Sequence, residues 1–388
     1  MIRNKIPDEE LERRTTPREA DMRGCYYRDQ TAIFHSKPFR RLKYKTQVFF
    51  NPNDDHICTR IEHVLHVATI STSICRGLNS KQDEGWQLNE DMAYAISLGH
   101  DLGHTPFGHA GEAALSQYLG GRNRFIHEVN SYRVVEKLIA GGQGLNLTYA
   151  VKDGIICHNG EKFERSITPD FKVKDLDSIN SRNHVPSTYE GAIVRFADKI
   201  AYLGRDIEDA IVAGFIKPDD VPEKIRKKIG DTNSNIINYL VNDLVANSTE
   251  EAIAVSAEAH SLMLTLRKFN YTYIYGHPLQ LQVEKSCENI IATLFDHLYK
   301  LHRQMDWETG EFKGEKVLIM DSYFADYLQN MRPFYLREAD QFGWTEDEMG
   351  NQIVADYISG MTDRYALECM SEISLPRPIM FRHGRGTF

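Results

Sequence analysis

The sequence predicts an all-α protein with little β structure, and three observations carry that expectation. Between residues 60 and 78, Ile61, Val64, Leu65, Ala68, Thr72, Cys75 and Leu78 recur at helical spacing and form one apolar stripe. A second strong helical window covers 188–213. Few runs alternate apolar and polar residues with the period of two that marks a half-buried strand. The chain has 388 residues, 41% hydrophobic and 26% charged, so it can build a sizeable core and has no disorder signature. That length allows two or three domains. No repeat or linker cuts it, and residues 1–388 read as a single helical body.

Taken in order, residues 1–30 are charged and read as an arm. Residues 31–50 mix apolar and basic residues, as in a short helix followed by an extended piece. Residues 51–59 (NPNDDHICT) read as a loop. The 60–78 helix ends near Gly77 and Asn79. Asn89 is placed to cap the next helix, which starts at Glu90 and runs to about Leu102. Gly103, Pro106 and Gly108 then force a tight turn before a helix near 110–119. Helices over 128–140 and 148–157 are separated by Gly141, Gly142 and Gly144. Residues 158–188 are polar and irregular, the longest candidate insertion, of the kind that forms lids or contact surfaces.

Composition removes several function classes. The N-terminus has no apolar signal-like stretch and no segment approaches the length of a membrane span, so a cytoplasmic protein without membrane contact is expected. Six scattered cysteines without a Cys-x-x-Cys pair argue against a disulfide framework and a structural zinc site. A formal net charge of −9 disfavours general nucleic-acid binding. An anionic ligand would need a locally basic pocket. Arg40, Arg41, Lys43 and Lys45, with aromatic neighbours, form such a cluster, either a solvated face or a collector of nucleotide anions or single-stranded DNA.

The densest chemistry lies at His100-Asp101-Leu-Gly-His104-Thr-Pro-Phe-Gly-His109-Ala-Gly-Glu112. Imidazoles and carboxylates suit Mn, Fe, Co, Ni or Zn and, more weakly, Mg. A glycine-rich turn lets several side chains converge where a regular helix could not. His63 lies in a secondary line with Val67, Ile70 and Ile74. Asp198 falls among Phe196, Ala197, Ile200 and Ala201, and a carboxylate buried there must be paired or metal-bound. Alone, His63 is also compatible with a packed core histidine, and Asp198 with an ion pair to Arg195. Asp198, Tyr202 and Asp206 share a helix face. His109 and Glu112, three apart, could form a pair that favours imidazolium, or serve as a helix cap and a first-turn acid.

With these residues stand FRRLKYKTQVF (39–49), HDLGHTPFGHAGE (100–112), GLNLTYAVKDGIICHNGE (144–161), ADKIAYLGRDIEDAI (197–211) and DYISGMTDRYAL (356–367). Together they resemble, in order and over most of the chain, the bacterial deoxyguanosine-triphosphate triphosphohydrolases of the HD superfamily. The resemblance implies an HD-domain helical core over roughly 58–210 with additional helices. It implies a divalent cation, Mn²⁺ foremost, with Mg²⁺, Fe²⁺, Co²⁺, Ni²⁺ or Zn²⁺ possible, held by His63, His100, Asp101 and Asp198. The implied reaction is water attack on the α-phosphorus of a dNTP, giving a deoxynucleoside and triphosphate. His109 and Glu112 would move the proton, with its direction open from sequence, and His104 and His127 would stand near the α-phosphate. Arg60 and Lys199 would contact the triphosphate, with Tyr202 lining the site. Asp206 and Gln47 would meet the sugar 3′-hydroxyl, and Arg364 and Tyr365 the phosphates or base. A homo-oligomer and dNTP activators are further implications. Around His63 the run Arg60-Ile61-Glu62-His63-Val64-Leu65-His66 departs from the common family pattern, which leaves base selectivity open. Another HD phosphohydrolase (a nucleotidase or phosphodiesterase) and a non-catalytic nucleotide sensor remain the alternative readings.

Overall fold

The computed structural model describes residues 1–50, 56–81, 83–119 and 124–376. Residues 51–55 of the expected loop lie outside them, and 56–59 form a turn leading into the first long helix. The described chain is helical almost throughout, as the spacing predicts. In order come α1 (Asp8–Leu11), α2 (Cys25–Phe34), α3 (Lys37–Arg41), α4 (Arg60–Asn79), α5 (Glu90–Gly99), α6 (Gly108–Leu119), α7 (His127–Arg133), α8 (Tyr149–Ile156) and α9 (Tyr189–Val212). These are followed by α10 (Glu223–Lys228), α11 (Asn233–Asn247), α12 (Ala257–Asn270), α13 (Pro278–His302), α14 (Ile319–Phe342), α15 (Glu346–Ser359) and α16 (Asp363–Ser374). The one ladder among the described residues is a two-residue antiparallel pair, β1 (Ser166–Ile167) with β2 (Ile253–Ala254).

Caps fix where the site helices begin. The Glu62 carboxylate accepts from the Thr59 backbone N–H at 2.7 Å and starts α4. Asn89 accepts from Met92 N at 3.0 Å, as expected for α5. Thr188 accepts from Gly191 N at 3.1 Å at the start of α9.

The apolar residues gather into two clusters. The larger is built on α2, α4, α5, α8, α9, α11 and α12, with Val64, Ile74, Ile96, Ile155, Phe196 and Ile200 wholly buried. Each such aliphatic side chain contributes about 1.5–3 kcal/mol. The smaller is built on α6, α13, α14, α15 and α16, around Leu115, Leu294, Phe324 and Ile353. The histidine turn joins them: Leu102 packs in the first and Phe107 in the second.

Three expectations change. The first thirty residues are not a free arm. Asp29 is a buried carboxylate that accepts from Arg14 (2.6 Å) and from the N–H and hydroxyl of Thr148 (2.9 and 2.7 Å), tying the segment to the start of α8. The short helix expected within 31–50 is two: one begins earlier, at Cys25, and ends at Phe34, and the other is α3, which Ser36 caps. The 128–140 helix ends at Arg133 and widens into a π-type turn over Val134–Leu138.

Candidate active site

Four side chains from three places in the fold converge. His63 comes from the buried side of α4, His100 and Asp101 from the end of α5, and Asp198 from the middle of α9. His63 Nε2 lies 3.0 Å from Asp198 Oδ1 and 3.9 Å from Asp101 Oδ2. His100 Nε2 lies 3.5 Å from Asp101 Oδ1 and 3.9 Å from Asp198 Oδ1. All four are buried. Burial alone would push Asp198 up, but the hydrogen bond with His63 and the other imidazoles around it outweigh it and hold it down to about 2. The alternative partner, Arg195, is taken by Glu164.

The donor set fits a divalent cation. His100 Nδ1 stands 2.6 Å from the Ser97 carbonyl, which can only accept, so the hydrogen is on Nδ1. Its Nε2 then offers a bare lone pair to the cluster and has no hydrogen-bond partner among the described residues. Leaving such a group buried costs about 1–3 kcal/mol. Backbone-anchored Nδ1–H is the usual second contact of a metal-bound imidazole. Two imidazoles and two carboxylates balance and suit a divalent ion.

The turn that carries these ligands is held from behind by α7. Asn130 Nδ2 donates to Gly103 O at 2.7 Å, and Gly103 N donates to Ser131 Oγ at 2.9 Å. A Cβ on Gly103 would fall 2.1 Å from Ser131 N, so only glycine admits this approach. The front is held by Asp363 at the start of α16, which accepts from Phe107 N at 2.9 Å and Thr46 N at 2.8 Å.

A cavity of about 310 Å³ opens over the cluster. His109 faces it, with 64% of its side chain exposed; Nδ1 lies 3.7 Å from Glu112 Oε2, and Nε2 lies 3.7 Å from Glu161 Oε1. Desolvation opposes charging His109, but Glu112 and Glu161 outweigh it and raise its pKa. His127 is buried behind it, with Nδ1 2.9 Å from Glu112 Oε2. Desolvation is again overcome, by Glu128 and Glu112, and His127 rises to about 9. His104 stacks on His127 with ring centroids 3.9 Å apart.

Gln47, Arg60, Tyr202 and Asp206 also line the cavity. Arg60 is partly committed, donating to Asp101 Oδ2 at 2.6 Å. Asp206 accepts from the Tyr275 hydroxyl, and burial pushes its carboxyl up to about 7. Three expected substrate contacts are not brought here. The Lys199 ammonium is buried and turned away from the cavity, donating to Glu164 Oε2 at 3.3 Å. Arg364 lies on the surface, paired with Glu368 at 2.9 Å. Tyr365 packs against Tyr357 in the smaller core, with the two hydroxyls 3.3 Å apart. The basic cluster is also divided: Lys45 is buried and donates to the carbonyls of His104 and Ser359.

Sequence reasoning missed several neighbours. His158 lies beside His100, with ring centroids 4.9 Å apart. Arg182, from the irregular 158–188 segment, donates to Glu112 Oε1 (2.8 Å) and to Glu128 Oε1 (2.8 Å). Glu161, Tyr271, Tyr275, Gln280 and Glu284 line the cavity. The His-Asn-Gly turn at 158–160 was a usable signal for the first; nothing in the local sequence marks Arg182.

The HD domain model matches residues 60–203, the span that carries all four converging side chains. The phosphohydrolase-associated domain model matches 253–328 and 311–372. Among the similar proteins are several that carry the name deoxyguanosinetriphosphate triphosphohydrolase-like protein. That of Caldanaerobacter subterraneus subsp. tengcongensis is 37% identical over 361 residues, covering 93% of this chain and 88% of the relative. That of Desulfatibacillum aliphaticivorans is 36% identical over 366 residues, 92% and 90%. That of Clostridium perfringens strain 13 is 34% identical over 385 residues, 97% and 94%. With an HD domain over residues 60–203 and such relatives along nearly its whole length, this chain belongs to the deoxyguanosinetriphosphate triphosphohydrolase-like family of HD-domain phosphohydrolases.

Proposed function

We propose that this protein hydrolyses deoxynucleoside triphosphates to a deoxynucleoside and inorganic triphosphate. The observation that carries the reading is the convergence of His63, His100, Asp101 and Asp198 beneath a cavity that His109 faces from the other side. Those four residues would hold a divalent cation, which would supply charge neutralisation for the phosphoryl oxygens and a more acidic bound water. The water oxygen bonds to the α-phosphorus as the bond to the 5′-oxygen breaks, and that oxygen needs a proton. His109, whose pKa is raised by Glu112 and Glu161 against the opposing effect of desolvation, would give it. Arg60 and the His127 imidazolium supply positive charge toward the phosphates. Tyr202, Gln47 and the Asp206–Tyr275 pair form the wall for the sugar.

Mn²⁺ is the first ion to try. A cytoplasmic homo-oligomer with dNTP activation belongs to the same reading, and light scattering with and without dNTP tests the assembly. A single-stranded DNA contact would rest on Arg40, Arg41 and Lys43 alone.

The deciding experiment incubates the protein with Mn²⁺ and each dNTP, singly and mixed, and identifies products by chromatography and mass. Deoxynucleoside plus intact triphosphate, absent with Asp101→Ala, is the expected result. A deoxynucleoside monophosphate or free phosphate would point to a nucleotidase or phosphodiesterase instead. Unchanged nucleotide with bound metal would favour the sensor.

A further inference from the structure

A second cavity, of about 280 Å³, lies behind α7. His127 and Ser131 stand on the face of α7 toward the histidine turn, where His127 stacks on His104 and Ser131 accepts from Gly103 N. Val129 and Arg133 follow each of them by two positions, about 200° round the helix, and line the cavity from the other face. Lys137, in the π-type turn, continues this wall, and such turns are frequent at functional sites. The opposite wall is the segment 176–180, with Leu176 and Ile179 buried. Phe342 and Trp344, at the junction of α14 and α15, complete the lining, their rings stacked with centroids 5.6 Å apart.

The lining is charge-balanced. Arg133 donates to Asp356 at 2.9 and 2.8 Å and pairs with Glu338, and Lys137 pairs with Asp177 at 2.9 Å and Glu338 at 3.0 Å. With Arg124 at the rim, three cations face three carboxylates. A highly charged anion would have to break these pairs; an uncharged ligand would not. The stacked aromatic rings offer a platform for a flat ring. Gln352 donates to Asp356 Oδ1 at 2.8 Å, which leaves its own oxygen as an acceptor. The exposed Asn180 amide has no partner among the described residues and presents a donor and an acceptor together. Paired charges, an aromatic platform and free amide groups suit an uncharged heterocycle with a hydrogen-bonding edge.

We propose that this cavity is a second ligand site, that it takes an uncharged nucleoside, and that its occupation slows turnover. The nucleoside chemistry is read from the cavity; its being the reaction's own product rests on the proposed function. The coupling is short. One wall carries Glu128, next to Val129 on α7, and the other leads within two residues of Asn180 to Arg182. Arg182 donates to Glu128 Oε1 and to Glu112 Oε1, both at 2.8 Å, so this bond ties the two walls together beside the carboxylate that faces His109. A ring wedged between the walls draws Arg182 away from Glu128 and Glu112. The active cavity stays open, so kcat falls and KM does not change.

The test uses the full-length protein loaded with Mn²⁺ and the four deoxynucleosides as probes. Among the described residues no tryptophan lines the active cavity, so a change in Trp344 emission reports on the second cavity. Binding is followed by that emission and by equilibrium dialysis in wild type, Trp344→Ala and Asn180→Ala, the last at an exposed position that leaves the core intact. Wild type should show an emission change with deoxynucleoside and none with inorganic triphosphate, and a fall in kcat for dNTP at unchanged KM. Trp344→Ala should keep its basal turnover, bind deoxynucleoside about tenfold more weakly and lose the fall in kcat; Asn180→Ala should shift the emission titration to higher concentration. Inhibition that is only competitive, and equal in wild type and variants, would put the nucleoside in the active cavity and overturn the second site. A Trp344 response to dNTP at lower concentration than to deoxynucleoside would overturn the uncharged class. A chain that binds deoxynucleoside at Trp344 yet leaves every dNTP intact would uphold the site and end the proposed hydrolysis.

Discussion

At the scale of single residues, the division of labour around Glu112 makes the sharpest predictions. Its carboxylate faces His109 on the cavity side and His127 behind, and Arg182 holds its other oxygen. His109→Asn keeps the size of the side chain and removes the proton. Turnover should fall roughly 10²–10⁴-fold, while elemental analysis finds the same metal content; turnover near wild type would end the proton-transfer role. Arg182→Gln removes the cation shared by Glu112 and Glu128 and leaves both carboxylates underpaired in a buried place. It should lower kcat more than it raises KM for the dNTP, because Arg182 touches the pair and not the cavity; a change confined to KM would contradict that. The sequence exposed part of this arrangement. His100, Asp101, His104, His109 and Glu112 stand within thirteen residues, and the apolar company of His63 and Asp198 marked both as buried. Arg182 and Lys199 show where that reasoning stops. A charged residue in a polar segment looks the same whether it ends in solvent or on a buried carboxylate, and the partner of Lys199, Glu164, lies thirty-five residues away across the fold.

At the scale of elements, the helices were readable wherever an apolar stripe met a capping residue, as at Asn89 and along 60–78. They were less so where long-range packing decides the outcome. The 128–140 window carries a helical pattern, yet the π-type turn over Val134–Leu138 interrupts it, and Gly144 packs directly on the Glu136 carbonyl there. The histidine turn and α7 form a single structural joint. Gly103→Ala would drive a methyl group into the backbone of Ser131, which α7 cannot yield without moving His127 and Glu128. Chemical denaturation should show a loss of about 3 kcal/mol or more, accompanied by weaker metal binding because the same turn carries His100 and Asp101. Asn130→Ala, which removes one clamp and leaves the Gly103 carbonyl buried, should cost about 1–3 kcal/mol. If Gly103→Ala were instead the milder of the two, the turn would be far more yielding than its packing indicates.

At the scale of the whole molecule, the site lies where the two apolar cores meet, and its carboxylates set how stability depends on pH and on metal. The four converging ligands come from α4, the end of α5 and α9, so an ion bound there ties the larger core together and should raise Tm as its concentration rises; chelation should reverse this, and Asp101→Ala should show neither effect. Asp206 acts in the opposite sense. Burial raises its carboxyl from 3.8 to about 7, with the Tyr275 hydrogen bond opposing in part. Below about pH 4 it is protonated both folded and unfolded, and it contributes no pH dependence. Between about pH 4 and 7 the folded chain keeps the proton that the unfolded chain has released, so stability falls as pH rises through that window. Above about 7 the full cost, on the order of 4 kcal/mol, has been incurred. Asp206→Asn removes the charge and keeps an oxygen for Tyr275. Denaturation at pH 8 should therefore find the variant more stable than wild type, with the difference closing by pH 4. The same variant should turn over dNTP more slowly, since a neutral amide is a poorer acceptor for a sugar hydroxyl. A variant less stable at pH 8 would mean that Asp206 is held by ionic partners and not strained by burial. One that gained stability without losing activity would take Asp206 out of the sugar wall.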